Sequence, residues 1–553
     1  MNKTWWKEGI VYQIYPRSYQ DSDGDGIGDL NGIINRLDYI KSLGVDIIWL
    51  CPVYKSPNDD NGYDISDYYN IMDEFGTMHD FDRLLSEMKQ RGLRLVMDLV
   101  ANHTSDEHQW FLESREKNSP KKDYYIWRDG VDGKAPNNWQ SIFGGSAWKY
   151  DEVAGQYFLH LFTKKQPDLN WENPAVRREI YDVMKFWLDK GIDGFRMDVI
   201  SVISKRNYDD SPYPALNDTI SQVYANGPKI HEYLQEMHRE VMSNYDMMTV
   251  GEGPGISLDT GLDYVDKSRK ELDMVFHFDH MFIDHGAGGK FDVVPYDFVH
   301  FKQVFAKWDT LLKGKGWGSI FLGNHDFPRV VSRFGNDKNY WAESAKLLAT
   351  MLLSLRGTTY IYQGDEIGMT NVAFDRIEDY NDVETHNAYQ EEVVEGGRDL
   401  QDFMKAVHIQ GRDNARTPMQ WSGEQNAGFT SGEPWLKLNP NYTEINVSSQ
   451  QEENDSVLNY YRKMVRIRKE HLTLVYGDFE MLEEDHQQLF AYRRSDDDGQ
   501  FLVVHNFSEQ DALLKVDDLG SYERLIGNYE GSKTSGNEIT LRPWESLVYQ
   551  KNS

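Results

Sequence analysis

The chain has 553 residues, which is too long for one ordinary core and predicts two or three domains. Acidic residues outnumber basic ones by 90 to 59, and the resulting net charge of −31 argues against nucleic acid as a partner. The single cysteine, Cys51, cannot form an internal disulfide. Neither the N-terminus nor the apolar segment 345–364 has the pattern of a signal peptide or a membrane span, so we expect a cytoplasmic protein that binds no membrane.

Short runs rich in β-branched and aromatic residues alternate with amphipathic helical stretches, as expected for a parallel sheet. The predicted strands are GIVYQIYP, VDIIWLCP, LRLVMDLV, GIDGFRMD, MMTVGE, MVFHFD, GSIFLGNHD and TTYIYQGDE. Helical patterns lie between them at 30–44 and 81–92, the latter closed by Gly92, where a left-handed cap costs least. Eight parallel strands with crossover helices close into a (β/α)8 TIM barrel of the α/β class.

Three regions depart from this alternation. The interval 103–172 after the third strand is rich in Trp, Tyr, Gly and Asn and predicts a small inserted domain on the catalytic face. A second insertion covers roughly 370–450, and short alternating strands near the end predict a C-terminal antiparallel β-sandwich domain. We therefore expect the barrel at 1–102 and 173–475, the inserted domain at 103–172 and the C-terminal domain at 476–553.

Several predicted strands end in a carboxylate, alone or beside Arg or His. The C-terminal ends of barrel strands face one another across the mouth, so Asp198, Glu252 and Asp326 should converge although they are far apart in sequence. One acidic strand end is usually a helix cap or half of a salt bridge. Three of them on separate strands would repel one another and lose hydration, so a function must retain them.

The spacing suggests a role for each carboxylate. Arg196 and Asp198 lie two residues apart on one strand and point the same way, so the guanidinium should hold Asp198 ionised as a nucleophile. Glu252, close to that charge and shielded from water, should stay protonated and act as the general acid. A nucleophile and an acid about 5 Å apart give retention at a glycosidic carbon. Asp326 is left to stabilise the positively charged transition state.

The motifs DLVANH (98–103), GFRMDVI (194–200), GE (251–252) and NHD (324–326) resemble, in this order and spacing, those of glycoside hydrolase family 13, the α-amylase family. The resemblance covers nearly the whole chain. It implies that Asp198 is the nucleophile, Glu252 the acid/base and Asp326 the transition-state stabiliser.

The same resemblance implies a pocket for the innermost glucose. Tyr63 would stack beneath the sugar ring, and Arg412 would pair with Asp64. Phe143, Phe162 and Gln166 would line the pocket, although a core role for either phenylalanine is equally open. The residues that would bind the glucose are Asp64, His103, Arg196 and His325.

Finer motifs resemble the oligo-1,6-glucosidase branch of the family: QPDLNW (166–171), SRFGND (332–337) and RDNARTPMQW (412–421). In that branch valine after the nucleophile goes with α-1,6 bonds, and Thr or Ala with α-1,4 bonds. Val199 therefore favours α-1,6 bonds, although this valine could simply fill a barrel strand. The resemblance then implies an exo-acting α-glucosidase that acts on isomalto-oligosaccharides and forms a glucosyl-Asp198 intermediate. The residues Gly253 and Phe327 differ from those that this branch carries at the same positions. Both could touch the leaving group, so the exact substrate stays open.

Other activities within the family stay open to different degrees. An α-1,4-glucosidase, a trehalose-6-phosphate hydrolase or a transglucosylase would use the same intermediate. Sucrose isomerases carry Arg-Leu-Asp-Arg-Asp after the sixth strand, where this chain has Phe282-Ile283-Asp284-His285-Gly286, so isomerisation is disfavoured. Non-catalytic ectodomains of amino-acid transporters have eroded carboxylates, and this chain keeps all three.

The turn DSDGDGIGD (21–29) spaces its carboxylates like the start of an EF-hand loop, although no helix precedes it and Gly32 stands at position 12. Four like charges in one turn favour a bound Ca²⁺. The family resemblance also places a structural Ca²⁺ or Mg²⁺ here, far from catalysis. Its ligands would be Asp21, Asp23, Asp25, the Ile27 carbonyl and Asp29. We expect no organic cofactor, and a monomer or dimer whose partner is a small oligosaccharide.

Overall fold

The computed structural model describes residues 4–552. Its centre is one parallel sheet of eight strands, which runs in the order six, five, four, three, two, one, eight, seven when the strands are numbered along the chain. These strands are Ile10–Ile14, Ile47–Leu50, Arg94–Val100, Gly194–Asp198, Met248–Glu252, Met274–Phe276, Ser319–Ile320 and Thr358–Tyr362. Each lies inside one of the predicted runs, so the prediction of a (β/α)8 barrel is confirmed.

The sixth and seventh strands are the two ends of this sheet, and side chains join them. Ser319 Oγ donates to the carbonyl oxygen of Val275 at 2.7 Å. The rings of Phe276 and Phe321 meet edge to face, with centroids 4.9 Å apart. The sheet is therefore a nearly closed cylinder, and its strands are almost entirely buried.

The helices pack outside the barrel, and local signals mark their ends. Helix Leu30–Ser42 begins at Asp29, whose carboxylate accepts the Gly32 N–H at 2.8 Å. Helix Met78–Gln90 is followed by Gly92 with φ +64°, as predicted. The α-helices are Trp5–Glu8, Leu30–Ser42, Met78–Gln90, Gln109–Ser114, Pro174–Lys190, Leu216–Thr219, Ile230–Glu240, Gly261–Val265, Phe298–Leu312, Val330–Phe334, Trp341–Ser354, Val383–Ala388, Leu400–Gln410, Asp413–Arg416, Val447–Glu452, Val457–Glu470 and Thr473–Tyr476. None of the helices in residues 4–552 has an apolar stretch long enough to cross a membrane.

The segment 103–172 leaves the barrel between the third and fourth strands and forms a small antiparallel sheet of its own. Its strands are Trp127–Arg128, Trp148–Asp151 and Gln156–Leu159. A group of its buried side chains, including Phe143 and Phe162, packs with Val199 of the barrel. The insertion is therefore held directly over the C-terminal ends of the barrel strands. Two hairpins add further pairs, Tyr54–Lys55 with Asp67–Ile71 and His285–Gly286 with Gly289–Val293.

The C-terminal region is a sandwich of two antiparallel sheets, as predicted. The larger sheet contains Asp478–Leu482, Leu489–Asp496, Gly499–Asn506, Tyr522–Gly527 and Ser546–Lys551. The smaller contains Ala512–Lys515, Lys533–Ser535 and Glu538–Leu541. Leu502 and Val504 from one sheet and Leu514 and Ile539 from the other share one buried apolar cluster.

Two buried arginines lie where this sandwich meets the barrel, and Arg494 of the sandwich bonds to the barrel directly. Arg494 donates to the carbonyl oxygens of Ser354 at 2.5 Å, Leu474 at 2.8 Å and Gly477 at 2.7 Å. Arg468 donates to neighbouring carbonyls and is 1% exposed. Burial lowers the pKa of Arg468 to about 9 and that of Arg494 to about 10. The two guanidinium groups donate to carbonyl groups at the C-terminal end of a barrel helix. The last carbonyl groups of a helix have no N–H partner within the helix itself.

Replacing Arg494 with methionine should destabilise the protein strongly. Methionine keeps most of the side-chain volume, but the carbonyl groups of Ser354 and Gly477 lose the donor that Arg494 supplies, at a cost of about 1–3 kcal/mol for each, while Leu474 keeps its bond from Arg468. Urea unfolding should show a free energy of unfolding lower by about 2 kcal/mol or more. Arg466→Met, at an exposed position on helix Val457–Glu470, is the control and should unfold like the wild type. Equal midpoints for both variants would show that these hydrogen bonds contribute little.

Candidate active site

Carboxylates from three neighbouring strands meet at one guanidinium at the barrel mouth. Asp198 and Glu252 are the last residues of the fourth and fifth strands, and Asp98 lies in the third. Arg196 Nη1 binds Asp98 and also Asp198, the latter at 2.8 Å, while Nη2 binds Glu252 at 2.5 Å. All four side chains are buried. The predicted convergence of Asp198 with Glu252 is therefore what the fold produces.

The protonation of this group differs from what the spacing alone suggests. Burial, and then the neighbouring Glu252 and Asp98, raise the pKa of Asp198 well above its usual range, against the pull of Arg196. The guanidinium of Arg196 is shared among three carboxylates, so its pull on the pKa of Asp198 is outweighed by burial and by the two neighbouring carboxylates. The role of Asp198 as an ionised nucleophile stays a prediction.

Asp326 lies in a different electrostatic environment. Burial raises its pKa, but His325, Arg412 and Arg416 together outweigh burial and hold the pKa well below the usual range. Arg416 Nη2 lies 2.8 Å and Arg412 Nη1 3.3 Å from the Asp326 carboxylate. Asp326 is therefore a fixed negative charge close to Asp198.

Tyr63 lies at the cavity wall, with His325 packed behind it. The two rings are parallel within 6°, with centroids 5.2 Å apart, and Tyr15 stacks on the far side of His325. The Gln13 amide lies 2.9 Å from Nδ1 of His325, and burial lowers the pKa of His325 to about 3, so the ring is neutral. His325 is fully buried and contacts Tyr63 and Asp326, and its predicted contact with the sugar stays a prediction.

The predicted pairing of Arg412 with Asp64 was wrong. Arg412 Nη2 lies 3.3 Å from Asp60 and 2.6 Å from Asp382. Asp60 lies four residues before Asp64, on a turn that brings its carboxylate to the cavity wall. Asp382 comes from the second insertion, and nothing in the sequence indicates that it meets Arg412.

Asp64, predicted to bind the glucose, and Gln166, predicted to line the pocket, are fully buried and bond to residues of the cavity wall, and these two roles stay predictions. Asp64 is fully buried and accepts the main-chain N–H groups of Asp59 at 2.9 Å and Asp60 at 3.1 Å. Gln166 Nε2 donates to Asp60 at 3.1 Å and lies 3.2 Å from Nε2 of His103. Arg196, at 1% exposure, is likewise a support for the carboxylates.

A cavity of about 1040 Å³ opens above the carboxylates, at the upper end of the range for small-molecule sites. Nine of the predicted residues line it: Tyr63, His103, Phe143, Phe162, Asp198, Val199, Glu252, Asp326 and Arg412. Lining residues that were given no role from sequence include Asp60, Phe278, Lys290 and Glu384. Phe282 and Phe327, recognised from sequence only as departures from relatives, also line it.

Val199 is held in a backbone conformation that β-branched residues avoid. Its φ is +37° and ψ +38°, and its N–H donates to Glu252 Oε2 at 3.1 Å. The chain thus turns sharply directly after Asp198 while its amide touches the second carboxylate. Such strain persists only where surrounding contacts impose it, as they do at functional sites.

A buried charge network underlies His103. Lys205 Nζ lies 2.7 Å from Asp168 and donates to Asn102 at 2.9 Å, and the Asn102 amide lies 3.2 Å from Nδ1 of His103. Burial lowers the pKa of His103 to about 4, so the ring is neutral at the cavity wall. The role of Lys205 could not be predicted from the sequence, because this residue lies beyond the fourth strand with no motif around it.

The acidic turn 21–29 brings part of the predicted ligand set together. Oxygens of Asp21, Asp23 and Asp29 lie within 4.8 Å of one another, the one such cluster of potential metal ligands in the described part of the chain. The Asp25 carboxylate instead accepts the Ile27 N–H at 2.8 Å. Burial raises the pKa of Asp25 and of Asp29, and neighbouring carboxylates add to this. Three converging carboxylates suit a hard cation such as Ca²⁺.

Comparisons with known proteins agree with this geometry. Residues 13–477 match the family described as "Alpha amylase, catalytic domain", and residues 489–548 match "Alpha-amylase SusG C-terminal domain". The oligo-1,6-glucosidase of Parageobacillus thermoglucosidasius is 57% identical over 100% of this chain and 99% of its own. That of Bacillus cereus is 54% identical over the whole of both chains. The crystal structure of isomaltulose synthase SmuA from Protaminobacter rubrum superposes with a TM-score of 0.97 at 45% identity over the whole of both chains.

The fold and the converging carboxylates define a barrel glycoside hydrolase. The chain belongs to the alpha-amylase family, glycoside hydrolase family 13.

Asp60→Asn should change the pH dependence of stability. Burial raises the pKa of Asp60 from 3.8 to about 7, although Arg412 opposes the shift. Since the folded pKa lies above the unfolded one, protonation favours folding, and this contribution is present below pH 4 and lost as the pH rises through 7. The wild type should therefore lose stability relative to Asp60→Asn between about pH 4 and 7, with no further change above.

Urea unfolding of both proteins at several pH values measures this difference, and the other buried acids cancel because both proteins share them. A difference that stays constant from pH 5 to 8 would show that Asp60 is ionised throughout.

Proposed function

We propose that this chain is a retaining, exo-acting α-glucosidase that removes the terminal glucose from short α-1,6-linked oligosaccharides. The observation that carries the proposal is the grip of Arg196 on both Asp198 and Glu252 at the floor of the cavity. Two carboxylates on the two nitrogens of one guanidinium are close neighbours. That arrangement suits the separation of about 5 Å in retaining enzymes better than the wider gap in inverting ones.

The chemistry follows from the environment of each carboxylate. Asp198 attacks the anomeric carbon while Glu252 donates a proton to the departing glycosidic oxygen, and a glucosyl-Asp198 ester forms. Glu252, now a base, takes a proton from water, which attacks the same carbon and releases Asp198. The ionised Asp326 stabilises positive charge on the sugar ring in both steps. Asp198 must be ionised for this attack; Arg196, 2.8 Å from its carboxylate, favours that form, whereas burial and the neighbouring carboxylates disfavour it.

The inner end of the cavity suits a single glucose unit. Tyr63 offers a flat face, His103 a neutral ring, and the Asp60–Arg412 pair a charged donor and acceptor for hydroxyl groups. Phe143 and Phe162, with ring centroids 5.6 Å apart, provide apolar wall above. We assign the terminal glucose to this end, which makes the enzyme exo-acting.

The α-1,6 preference is supported by Val199 and by the similar proteins. Val199 lies at the cavity wall directly after Asp198, and the two relatives described above are both oligo-1,6-glucosidases. An α-1,4-glucosidase and a transglucosylase remain alternatives, since water and a sugar hydroxyl compete for the same intermediate.

Charge at the cavity mouth disfavours phosphorylated substrates. Its rim carries Glu391, Glu392 and Glu395, and the rim cation Lys290 is paired with Glu384 at 2.6 Å. A phosphate group entering here would meet an excess of negative charge. The rim therefore argues against trehalose 6-phosphate as the substrate.

The sucrose isomerase alternative is disfavoured at the same edge. Phe282 and His285 occupy the positions of the two missing arginines, and Asp284 is bound by Arg333 from another segment.

A substrate panel with product analysis tests the proposal. The value of kcat/KM should be highest on isomaltose, roughly tenfold above maltose, with little activity on trehalose 6-phosphate or sucrose. Proton NMR should show α-glucose as the first product. Asp198→Asn should lower kcat by at least about a thousandfold, because no intermediate forms.

β-Glucose as the first product would overturn the retaining mechanism, and full activity of Asp198→Asn would overturn the nucleophile. A preference for maltose would select the α-1,4 alternative.

We further propose that the turn 21–29 binds a structural Ca²⁺. Asp21, Asp23 and Asp29 would hold the ion, with the Ile27 carbonyl and Asp25 completing the set. The turn packs against residues that follow the Arg412 motif, as shown by the Trp435 N–H, which donates to the Gly26 carbonyl at 3.0 Å. A bound ion would therefore stabilise the barrel without touching the substrate.

A cytoplasmic location and a monomeric or dimeric state stay predictions from sequence.

Removing the metal should lower stability and leave catalysis intact. A ligand present at 100 times its Kd stabilises the folded state by about 2.7 kcal/mol, so a chelator should lower the melting temperature by several degrees and added Ca²⁺ should restore it. Asp23→Asn should melt at the lower temperature with or without chelator. Asp497→Asn, on an exposed turn of the C-terminal domain, is the control and should respond like the wild type. If elemental analysis finds no divalent metal and the chelator changes nothing, the site is wrong.

A further inference from the structure

A segment of the second insertion crosses the cavity mouth, and its first end is fixed on the active site. We call residues 382–395 the strap; it comprises helix Val383–Ala388 and the π-helical turn Tyr389–Glu395. Asp382 accepts the Thr385 N–H at 3.2 Å and so caps the helix. The same carboxylate lies 2.6 Å from Arg412 Nη2. The strap therefore begins on an arginine that lines the cavity.

The other part of the strap bonds to the inserted domain. Asn387 Nδ2 donates to the Phe143 carbonyl at 2.8 Å, and the Glu391 carboxylate lies against Gly144 and Gly145. Gly144 is pressed against this carboxylate, since a Cβ there would lie 2.5 Å from Glu391 Oε1. Gly144 and Gly145 have φ values of +94° and +72°, so this loop has little stiffness of its own.

Phe143 is thus held from two sides by one short helix. Its ring lies under the Arg412 guanidinium, 4.7 Å from carbon to ring centroid, and Arg412 is oriented by Asp382. Its main-chain carbonyl is held by Asn387, near the other end of the same helix. The position of this cavity-wall ring therefore depends on the strap as well as on the inserted domain.

We propose that Asn387 and Glu391 are positioning residues that hold the loop 141–146 closed over the bound glucose. This inference rests on the proposed function, because it assigns Phe143 to the glucose site. Neither residue takes part in bond making, so their loss should weaken substrate binding and spare the chemical steps. We call the strap, residues 382–395, together with the loop 141–146 the clasp.

Isosteric variants test the clasp. Asn387→Asp replaces the donor with a carboxylate that faces the Phe143 carbonyl, so KM for isomaltose should rise roughly three- to tenfold, the worth of one or two ordinary hydrogen bonds. The value of kcat should stay within about twofold, since only uniform binding is lost. Glu391→Ala should act in the same way, whereas Glu391→Gln keeps an acceptor and should restore near wild-type KM.

Two further variants sharpen the test. Gly144→Ala should also raise KM, because the added methyl group would lie 2.5 Å from Glu391 Oε1 and because a φ of +94° strains a residue other than glycine, so this variant tests the shape of the loop together with the contact. Gln390→Ala is the matched control, since Gln390 is exposed and bonds to Glu395 within the strap itself.

Hydrogen exchange of the peptide that contains 141–146 gives a readout independent of activity. It should be faster in Asn387→Asp than in the wild type and unchanged in Gln390→Ala. Faster exchange together with a raised KM supports the clasp. Unchanged exchange, a KM that does not move, or a kcat that falls as much as KM rises would overturn it. If the wild type hydrolyses no α-glucoside, the proposed function fails, and the exchange rates alone decide whether the strap holds the loop.

Discussion

The active site depends on one guanidinium that is shared among carboxylates from three barrel strands. Without Arg196, the buried Asp98, Asp198 and Glu252 would repel one another in a medium that screens them poorly. With it, one of the three negative charges is compensated, and the remaining repulsion contributes to the raised pKa of Asp198. The barrel makes this possible, because parallel neighbouring strands deliver their C-terminal residues to one point. Everything further out in the cavity is arranged relative to this pair.

Regular strands made much of this predictable. Asp198 and Glu252 end strands whose patterns are strong, and barrel geometry alone requires that such ends converge. The prediction failed where loops decide the geometry. Asp60 and Asp64 lie on one turn, and only Asp64 was predicted from the sequence to pair with Arg412. Only the folded turn shows that Asp64 binds main-chain amides and leaves the Asp60 carboxylate facing Arg412.

Long-range partners were beyond sequence reasoning for a related reason. Asp382 and Lys205 have no motif around them, yet one orients Arg412 and the other anchors the network beneath His103. A lone charged residue in a long insertion usually lies on a solvated surface, so its burial against a distant partner cannot be inferred from its neighbours in sequence. The environment of Asp198 was predicted incompletely for the same reason, since the spacing indicated Arg196 and Glu252 as neighbours but gave no sign that Asp98 shares the guanidinium.

The two sides of the cavity are supported unequally by the barrel. The glucose side rests on the third, fourth and fifth strands, which are fully paired within the sheet. The opposite wall includes Phe278 and Phe282, which follow the sixth strand, where the sheet ends and Ser319 supplies a link to Val275. A wall attached at this seam can change its side chains without disturbing the paired strands. The isomaltulose synthase structure shares this backbone with a TM-score of 0.97 at 45% identity. Under the proposed function, the residues assigned to the glucose stand on the continuous sheet, and the residues on the leaving-group side stand at the seam.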